Sequence, residues 1–562
     1  MNRNNYCALF PFLLLLLAPI RLIGLYQGIP DGLNPDETIV VHRALYFTSG
    51  DLNPHFFYYP SFSMYTTSAA IGVKVAFMTA AGSVHSIRDI KALFAHDPSF
   101  VYQAARVGVA VFGLLSVVTL YGWGRTFIGD LPAFLAALLA LLAPTLTEQA
   151  HYAKPDAQMA WLALLAFLAS CSAYQRMSFR WLVMSAGFCG LAFSTKYNAI
   201  PLICPIIIIF VTLYLKQSWR FGALTRNSFI LLAAFWIAFF VGTPYAAVDF
   251  HTFFAQLGSI KAYTAGAGSL PMTLPHFVYN MRDVWNGALG GTALGSCYLI
   301  GIGFALMTLN RYAQLGFASV LVFLIFVARQ SMAYTRYFEP VLPILIFSVV
   351  AGIEGCSQEA SRKGVRVAAC LLSLTLIGLS ALKSAQLIRE FRKPYGLELA
   401  KSWILDHCPD GSKILVDAGS PSLPLTRDAL SELLQKATAS GNIKGALFRL
   451  NLDYYDSSQK HFDVYISSQA IMTLPPDLLQ KGRSVQRLQP IDDGLSPLFK
   501  KGFKYILTSS SEEHLYIAPA AAAFPKFRRY YESLNADPRV NRVFDSAATG
   551  AAGPRVCIYE LH

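Results

Sequence analysis

Charged residues are scarce in this sequence, and their scarcity excludes an ordinary soluble protein. Only 14% of the 562 residues are Asp, Glu, Lys or Arg, whereas 54% are hydrophobic and the mean hydropathy is +0.43. Apolar stretches of about 17–25 residues, long enough to cross a bilayer as helices, recur as far as about Leu387. The sequence therefore predicts a multi-spanning membrane protein.

Several chemical signatures are also missing. The nine cysteines show neither the CxxC nor the Cys/His spacing of a metal site, and most lie in apolar segments, where cysteine behaves as a small hydrophobe. Cys408 and Cys557 fall in the polar C-terminal part, which leaves a disulfide between them open. This C-terminal part has no glycine-rich phosphate loop, no clear nucleophile motif and no internal repeat.

The net charge of +13 does not indicate nucleic-acid binding. The basic residues form short clusters between apolar segments, whereas a nucleic-acid-binding protein collects them on one face or arm. Such clusters mark the cytoplasmic loops of a membrane protein. Nucleic acid is therefore not an expected partner, and the membrane is.

Hydropathy predicts about eleven spanning helices, at 8–26, 103–121, 131–148, 157–174, 180–196, 198–215, 228–247, 288–308, 313–328, 338–355 and 367–386. The segment 61–81 is apolar but carries Lys74, and we assign it to the membrane interface. With that assignment every basic cluster between helices, from Arg125 to Arg366, lies on the cytoplasmic side. We read the first apolar segment as a retained helix, because no convincing cleavage site follows it.

The predicted fold is an all-α polytopic membrane domain over residues 1–388, with interfacial helices in its first outer loop, followed by an α/β domain over 389–562. The N-terminus is expected in the cytoplasm and the C-terminal domain in the periplasm of a bacterial inner membrane. In the C-terminal domain the alternation of residues predicts strands at 413–417, 462–466, 503–507 and 556–559 and helices at 428–436 and 527–535.

Carboxylates stand at two predicted outer helix ends. Asp36 and Glu37 follow Asn34-Pro35 beyond the first helix, and Asp156 follows Pro155. Both positions also suit a helix cap or first turn, where the helix dipole favours an acid, so a purely structural role stays open. Carboxylates near a membrane are costly, however, and three on one face indicate chemistry.

Cations occur on the same predicted face, against the positive-inside pattern. Lys196 and Arg336 lie at outer helix ends, and Arg106 lies at the outer start of the second helix. Each could extend to the headgroups by snorkelling. Together they suit an anionic ligand such as a phosphate at the lipid surface. A carboxylate opposite them predicts a general base that activates a nucleophile while a phosphate leaves.

These motifs resemble those of the GT-C superfamily of integral-membrane glycosyltransferases, in particular protein O-mannosyltransferases and lipid A aminoarabinose transferases. The resemblance covers about residues 10–350 and rests on a set of short motifs: Pro35-Asp36-Glu37, Tyr59-Pro60, Ala105-Arg106, Lys154-Pro155-Asp156, Ser194 to Tyr197, and Arg336-Tyr337 with Pro340 and Pro343. It implies inverting transfer of a sugar from a polyprenyl-phosphate carrier to a lipid, glycan or protein acceptor on the non-cytoplasmic face.

The resemblance also implies roles for single residues. Asp36 is the expected catalytic base, Glu37 supports it, and Asp156 is a second acidic residue that positions the acceptor or a metal. The resemblance leaves a divalent metal ion open, with Asp36 and Asp156 as its ligands. The remaining expected site residues hold the carrier phosphate (Lys196, Arg336, Tyr337 and Arg106) or line the pocket (His55, Tyr58, Tyr59 and His151).

The sequence also fits two other functions. Many helices with buried charges also fit a transporter or lipid flippase, although the paired interrupted repeats typical of transporters are missing. A non-catalytic assembly factor would present the α/β domain to a partner and would use Asp36 and Glu37 only as a helix cap.

Overall fold

The structure is a computed structural model in which the chain forms two compact units. One comprises Met1–Leu25, Pro35–Val73 and Ala104–Arg389, and the other comprises Tyr26–Asn34, Lys74–Gln103 and Glu390–His562. We call them the membrane unit and the α/β unit. The residues that the structure describes are 9, 12–13, 15–31, 34–266, 278, 281–282, 284–328, 335–360, 363–417, 419–442, 444–467, 486–491, 494–510 and 525–562.

Helices account for nearly all regular structure up to residue 391. The α-helices of six or more residues are, in chain order, α1 (Pro35–Tyr46), α2 (Phe62–Ala80), α3 (Ile87–His96), α4 (Ser99–Gly122), α5 (Asp130–Leu142), α6 (Pro144–Gln149), α7 (Asp156–Arg176), α8 (Phe179–Phe193), α9 (Cys204–Gln217), α10 (Phe221–Gly242), α11 (Phe250–Gly266), α12 (Thr292–Met307), α13 (Arg311–Ala328), α14 (Leu342–Glu359) and α15 (Lys363–Phe391).

Seven helical stretches among the described residues are long and apolar enough to cross a membrane: Ser99–Ile128, Asp156–Arg176, Tyr197–Gln217, Phe221–Gly242, Arg311–Ala328, Arg336–Glu359 and Lys363–Phe391. The apolar helices α5, α8 and α12 are shorter. The protein is thus an integral multi-pass membrane protein, as predicted. The interfacial segment of the prediction corresponds to α2, which is not among the candidate spans.

The first predicted span lies partly outside the described residues. Its described part is helical up to Leu17, and a 3₁₀ turn follows at Ala18–Arg21. The helix therefore ends before residue 26, the predicted end of the span. Pro19 is the local cause, because proline removes a hydrogen-bond donor from the helix. Part of the predicted second outer segment, 246–287, also lies outside the described residues.

Two helices form the centre of the membrane unit. In α7 and in the stretch Arg336–Glu359, 83% of the most apolar window is buried, whereas α10 buries only 17%. A helix that is apolar on all sides is stable only when other helices surround it. The site residues at the start of these two central helices, Asp156 and Arg336 to Glu339, are therefore fixed by the best-packed part of the membrane unit.

The α/β unit contains a six-stranded mixed sheet. Its strands are β1 (Lys413–Val416), β2 (Asp463–Ser467), β3 (Leu488–Gln489), β4 (Tyr505–Ser509), β5 (Val540–Asp545) and β6 (Val556–Leu561), in the order β3-β2-β1-β4-β6-β5. The strands β3, β2, β1 and β4 are parallel, and β6 joins β4 and β5 in antiparallel pairing. This unit also contains α3, the helices α16 (Gly396–His407), α17 (Arg427–Ala439), α18 (Lys444–Asp453) and α19 (Pro525–Ala536), and a short helix at Ser496–Lys500.

The four predicted strands and both predicted helices of this region are present, with ends shifted by up to three residues. Strands β3 and β5 were not predicted, because β3 has only two residues and β5 exposes Asn541 and Arg542 at the sheet edge. Cys408 and Cys557, both in the described part of the chain, are buried and do not form a disulfide.

Candidate active site

Asp36 lies in the first turn of α1, which begins at Pro35, a residue favoured at this position because its fixed φ suits the start of a helix. Its Oδ2 is 3.0 Å from Nη2 of Arg336, and its Oδ1 accepts a hydrogen bond of 3.3 Å from the Tyr59 hydroxyl. The side chain keeps 15% of its surface exposed. Asp36 is thus a restrained carboxylate that solvent still reaches.

Tyr59 supports Asp36 as a hydrogen-bond donor. Burial raises the pKa of the Tyr59 phenol, and the nearby charge of Asp36 raises this pKa further. The phenol therefore keeps its proton at neutral pH and donates a hydrogen bond to the carboxylate. Tyr59 was predicted only as a pocket residue, and its contact with Asp36 places it beside the expected base.

Asp156 is the second carboxylate of the site, at the first residue of α7. Its Oδ1 accepts a hydrogen bond of 2.6 Å from Nζ of Lys196, whereas its Oδ2 is buried and has no hydrogen-bond partner among the described residues. Both side chains are nearly inaccessible, with 1% and 9% exposed. A buried ion pair of this kind is stable only while both partners are present.

The ring of Tyr337 connects the two carboxylate pairs. Nζ of Lys196 lies 5.1 Å from the ring centroid, and the guanidinium carbon of Arg336 lies 5.8 Å from it, within the range of cation–π attraction. Contacts therefore run without interruption from Tyr59 through Asp36, Arg336, Tyr337 and Lys196 to Asp156. We call these six residues the polar cluster.

Glu37 and Arg106 form a separate, fully buried pair. Nε and Nη2 of Arg106 bind the two carboxylate oxygens of Glu37 at 2.8 and 3.0 Å, and the amide of Ala153 donates to Oε1 at 2.7 Å. The third guanidinium nitrogen, Nη1, donates to the carbonyl of Leu25 at 2.8 Å. Glu37 and Arg106 therefore bind each other and the backbone, which is typical of residues that fix a local conformation.

Two further charged residues, Lys154 and Glu339, are buried near the polar cluster. Nζ of Lys154 donates to Oε1 of Gln149 at 2.7 Å, and burial lowers the pKa of this ammonium group. Glu339 is 1% exposed, its Oε2 has no hydrogen-bond partner in the described structure, and its carboxyl interacts electrostatically with Asp156, Lys154 and Lys196.

Neither residue was assigned a role from the sequence. Lys154 stands in the motif Lys154-Pro155-Asp156, and Glu339 directly precedes Pro340 at the start of an apolar run. A carboxylate beside an apolar run is costly in a membrane and indicates a functional site. This pattern could have identified Glu339 from the sequence.

The remaining predicted pocket residues make contacts elsewhere in the membrane unit. His55 lies half-exposed in a left-handed conformation (φ 47°), with Nε2 2.8 Å from Asp51 and Nδ1 3.7 Å from Asp249. The ring of Tyr58 packs on Phe56, with the ring centroids 5.3 Å apart.

His151 is the last of these residues. Its two ring nitrogens lie 2.7 and 2.8 Å from the carbonyl oxygens of Thr147 and Ile23. It therefore connects α6 to the N-terminal segment through the backbone.

The composition of the polar cluster does not favour a metal ion. Both carboxylates that the sequence suggests as ligands already bind a cationic side chain, Asp36 to Arg336 and Asp156 to Lys196. Within the described residues, no group of three His, Cys, Asp or Glu side chains is arranged to hold a metal. The two cations of the cluster, Arg336 and Lys196, are side chains that suit an anion such as a phosphate.

Comparison with known proteins gives one family match. The sequence model of the dolichyl-phosphate-mannose-protein mannosyltransferase family matches residues 90–246. This segment contains Arg106, Lys154-Pro155-Asp156 and Lys196, and the match confirms the resemblance to GT-C glycosyltransferases that these motifs predict. No curated protein matches the chain.

Several solved structures are similar over nearly the whole chain. ArnT from Cupriavidus metallidurans bound to undecaprenyl phosphate has 15% sequence identity and a TM-score of 0.49, with 99% of this chain and 98% of that chain covered. The archaeal oligosaccharyltransferase AglB from Archaeoglobus fulgidus, in complex with an inhibitory peptide and a dolichol-phosphate, has 12% identity and a TM-score of 0.44, with 90% and 70% covered.

Proposed function

We propose that this chain, a relative of the GT-C membrane glycosyltransferases, moves a sugar from a polyprenyl-phosphate carrier to an acceptor on the non-cytoplasmic face of the membrane, with inversion at the anomeric carbon. The observation that carries the proposal is the polar cluster. It holds one partly exposed carboxylate, Asp36, in contact with cations suited to a phosphate. The description of the matched family, a transferase that uses a lipid-phosphate sugar, supports the same chemistry.

Asp36 is the proposed general base. Its carboxylate removes the proton from the attacking hydroxyl or amine of the acceptor, which then forms a bond to the anomeric carbon. The bond between that carbon and the phosphate oxygen breaks, and its electron pair stays on the departing polyprenyl phosphate. The proton remains on Asp36 until the product leaves. The Tyr59 hydroxyl holds the carboxylate in place during this step.

Arg336 and Lys196 are the proposed phosphate-binding cations, with Tyr337 between them. Negative charge grows on the leaving phosphate, and fixed cations stabilise this charge more strongly in the transition state than in the bound donor. Lys154 is buried nearby and interacts electrostatically with Arg336 and Lys196. Asp156 orients Lys196 through their 2.6 Å contact.

Glu37 and Arg106 receive structural roles in this proposal. Since all three guanidinium nitrogens of Arg106 bind Glu37 or Leu25, the pair serves to fix the start of α1. His55, Tyr58 and His151 remain candidates for shaping the outer surface around the cluster.

The proposed topology has about eleven spans, with the interfacial helix α2 in the first outer loop, a cytoplasmic N-terminus and a periplasmic α/β domain over residues 389–562 in a bacterial inner membrane. Residues 1–388 then form the catalytic membrane domain. The acceptor is a lipid, a glycan or a protein.

The test is Asp36→Asn, with sugar transfer measured from a polyprenyl-phosphate donor in membranes. Loss of the base is expected to reduce turnover by at least about 100-fold, since general base catalysis contributes that much or more. The matched control is Asp130→Asn, because Asp130 is also a partly exposed carboxylate beside an arginine, 3.8 Å from Arg125.

Full transfer activity in Asp36→Asn would overturn the assignment of the base. A transporter or flippase would instead move the intact donor across the membrane without breaking the sugar–phosphate bond. Measuring the released polyprenyl phosphate therefore separates the two functions directly.

A further inference from the structure

Arg21 and Glu339 are oppositely charged side chains that are buried in the membrane unit. Arg21 is 0% exposed and Glu339 is 1% exposed. Nε and Nη1 of Arg21 and Oε2 of Glu339 have no hydrogen-bond partner among the described residues, although the two charges interact electrostatically. Buried polar atoms are nearly always hydrogen-bonded. These three atoms therefore indicate a further binding partner beside the two side chains.

A small cavity inside the membrane unit lies next to both residues. Glu339 lines it together with Ser116 on α4 and Ala140 on α5. Nη2 of Arg21 donates to the carbonyl oxygen of Ala140 at 2.5 Å. One of the two charged side chains thus forms part of the cavity wall, and the other binds a residue of that wall.

The cavity suits one water molecule. The centre of a water molecule can occupy about 10 Å³ of it, which is close to the space that one buried water needs. The charges beside the cavity select the same ligand, because Arg21 repels a cation and Glu339 repels an anion. Water can donate a hydrogen bond to a carboxylate oxygen and accept one from a guanidinium nitrogen, so it satisfies both groups.

The position of Glu339 connects this cavity to the polar cluster. Glu339 belongs to the 3₁₀ turn Thr335–Val341, which also carries Arg336 and Tyr337. A water molecule that joins Glu339 to Arg21 attaches this turn to the N-terminal segment, and through Ala140 to α5. All these residues belong to the membrane unit.

We propose that the cavity binds one water molecule between Glu339 and Arg21, and that both side chains are thereby positioning residues for Arg336 and Tyr337. The water site does not depend on the reaction, whereas the positioning role rests on the proposed binding of a phosphate by Arg336. A displacement of about 1 Å in a site residue is enough to reduce its effect strongly, so a shift of this turn weakens phosphate binding.

Brief X-ray radiolysis of the purified protein in detergent, followed by mass spectrometry, tests the water directly. Radiolysis of a bound water gives hydroxyl radicals that oxidise the side chains around it. Leu146 and Val117 line the cavity, and we expect their oxidation although they are only 7% and 1% exposed. The matched controls are Leu142 and Val320, which have the same exposures but do not line the cavity, and we expect them to stay unmodified.

The positioning role is tested with Arg21→Met combined with Glu339→Leu. This double variant leaves neither charge of the pair without its partner, so it is expected to fold. Oxidation of Leu146 is expected to be lost, and the affinity for free polyprenyl phosphate is expected to fall by about tenfold. Glu339→Gln alone keeps a side chain that binds water, so it is expected to keep the oxidation of Leu146. Glu359→Gln, at the other end of α14, is the control for binding.

Equal oxidation of Leu146 and Leu142 in the unmodified protein would overturn the water site. Unchanged affinity for polyprenyl phosphate in the double variant would overturn the positioning role. If the double variant does not fold, Arg21→Met alone decides in the same way, because the remaining carboxyl of Glu339 can take up a proton and lose its charge. Failure of the proposed function looks different: the unmodified protein would not bind polyprenyl phosphate, while the oxidation of Leu146 would still report the water.

Discussion

Lys196 carries two functions that substitution can separate. It neutralises the buried carboxylate of Asp156, and it lies over the ring of Tyr337 among the proposed phosphate-binding groups. Removing a lysine from a buried ion pair leaves an unpaired charge, which costs about 3–5 kcal/mol of stability. An effect on the donor can therefore be measured only when both charges are removed together.

We predict that Lys196→Met lowers the unfolding temperature in detergent, and that Lys196→Met combined with Asp156→Asn recovers much of this loss. The double variant is expected to retain a KM for the donor raised by about tenfold or more, since a hydrogen bond to a charged group contributes about 1.5–3 kcal/mol. Lys216→Met is the matched control, because Nζ of Lys216 lies at a similar distance, 5.4 Å, from the Tyr174 ring. A normal donor KM in the double variant would contradict the phosphate-binding role of Lys196.

At the scale of single residues, the sequence could indicate which carboxylates and cations share a membrane face, but not which of them pair. The topology rule placed Asp36, Asp156, Lys196 and Arg336 together, and the structure brings them into one cluster. The pairing of Glu37 with Arg106 could not be read from the sequence, because no local pattern connects two residues that lie 69 positions apart.

At the scale of secondary-structure elements, the central contact between α12 and α14 depends on small residues. A Cβ at Gly352 would collide with backbone atoms of Ala305, whereas a Cβ at Gly303, on the same helix as Ala305, would meet nothing within 4 Å. Membrane helices rely on such small residues because they gain little from the hydrophobic effect when they associate. The same α14 follows the turn that carries Arg336 and Tyr337.

We predict that Gly352→Ala destabilises the membrane unit by about 1–3 kcal/mol, the usual cost of overpacking a well-packed core. Gly303→Ala is expected to change the unfolding temperature very little. Both can be measured by thermal unfolding in detergent, with a fluorescent probe of buried cysteines. Equal stability of the two variants would mean that α12 and α14 do not approach each other as closely as the structure shows.

Element types were easier to predict than element ends. Apolar stretches of membrane length identify helices such as α10 well, because such a length has few alternatives. The first helix ends early because of Pro19. Hydropathy could not predict this end, since it does not take account of the missing hydrogen-bond donor of proline. Strand β5 was not predicted because its consecutive residues Asn541 and Arg542 are both exposed, although they point to opposite faces of the sheet. An edge strand of this kind lacks the alternation of polar and apolar residues that predicts strands.

At the scale of the whole molecule, the proposed function depends on topology. Asp36 and Tyr59 precede α2, and the other members of the polar cluster follow it. All six face the same side only if α2 stays in the interface, since a spanning α2 would invert every later helix. The basic clusters favour the interfacial arrangement. Residues 81–98, which connect α2 to α4, belong to the same compact unit as the α/β domain, so we expect them in the same compartment.

This topology predicts opposite labelling for two cysteines introduced at exposed positions. Ser83→Cys, after α2, is expected to react with a membrane-impermeant maleimide from the periplasmic side, whereas Arg311→Cys, at the start of α13, is expected to react only after the inner membrane is broken. Ser458→Cys in the α/β unit should behave as Ser83→Cys does, and the unmodified protein gives the background from native cysteines. If Arg311→Cys reacts from the periplasm and Ser83→Cys does not, α2 spans the membrane. Asp36 and Tyr59, which precede α2, would then face the periplasm while Asp156, Lys196 and Arg336 faced the cytoplasm, and the polar cluster could not form on one side of the membrane.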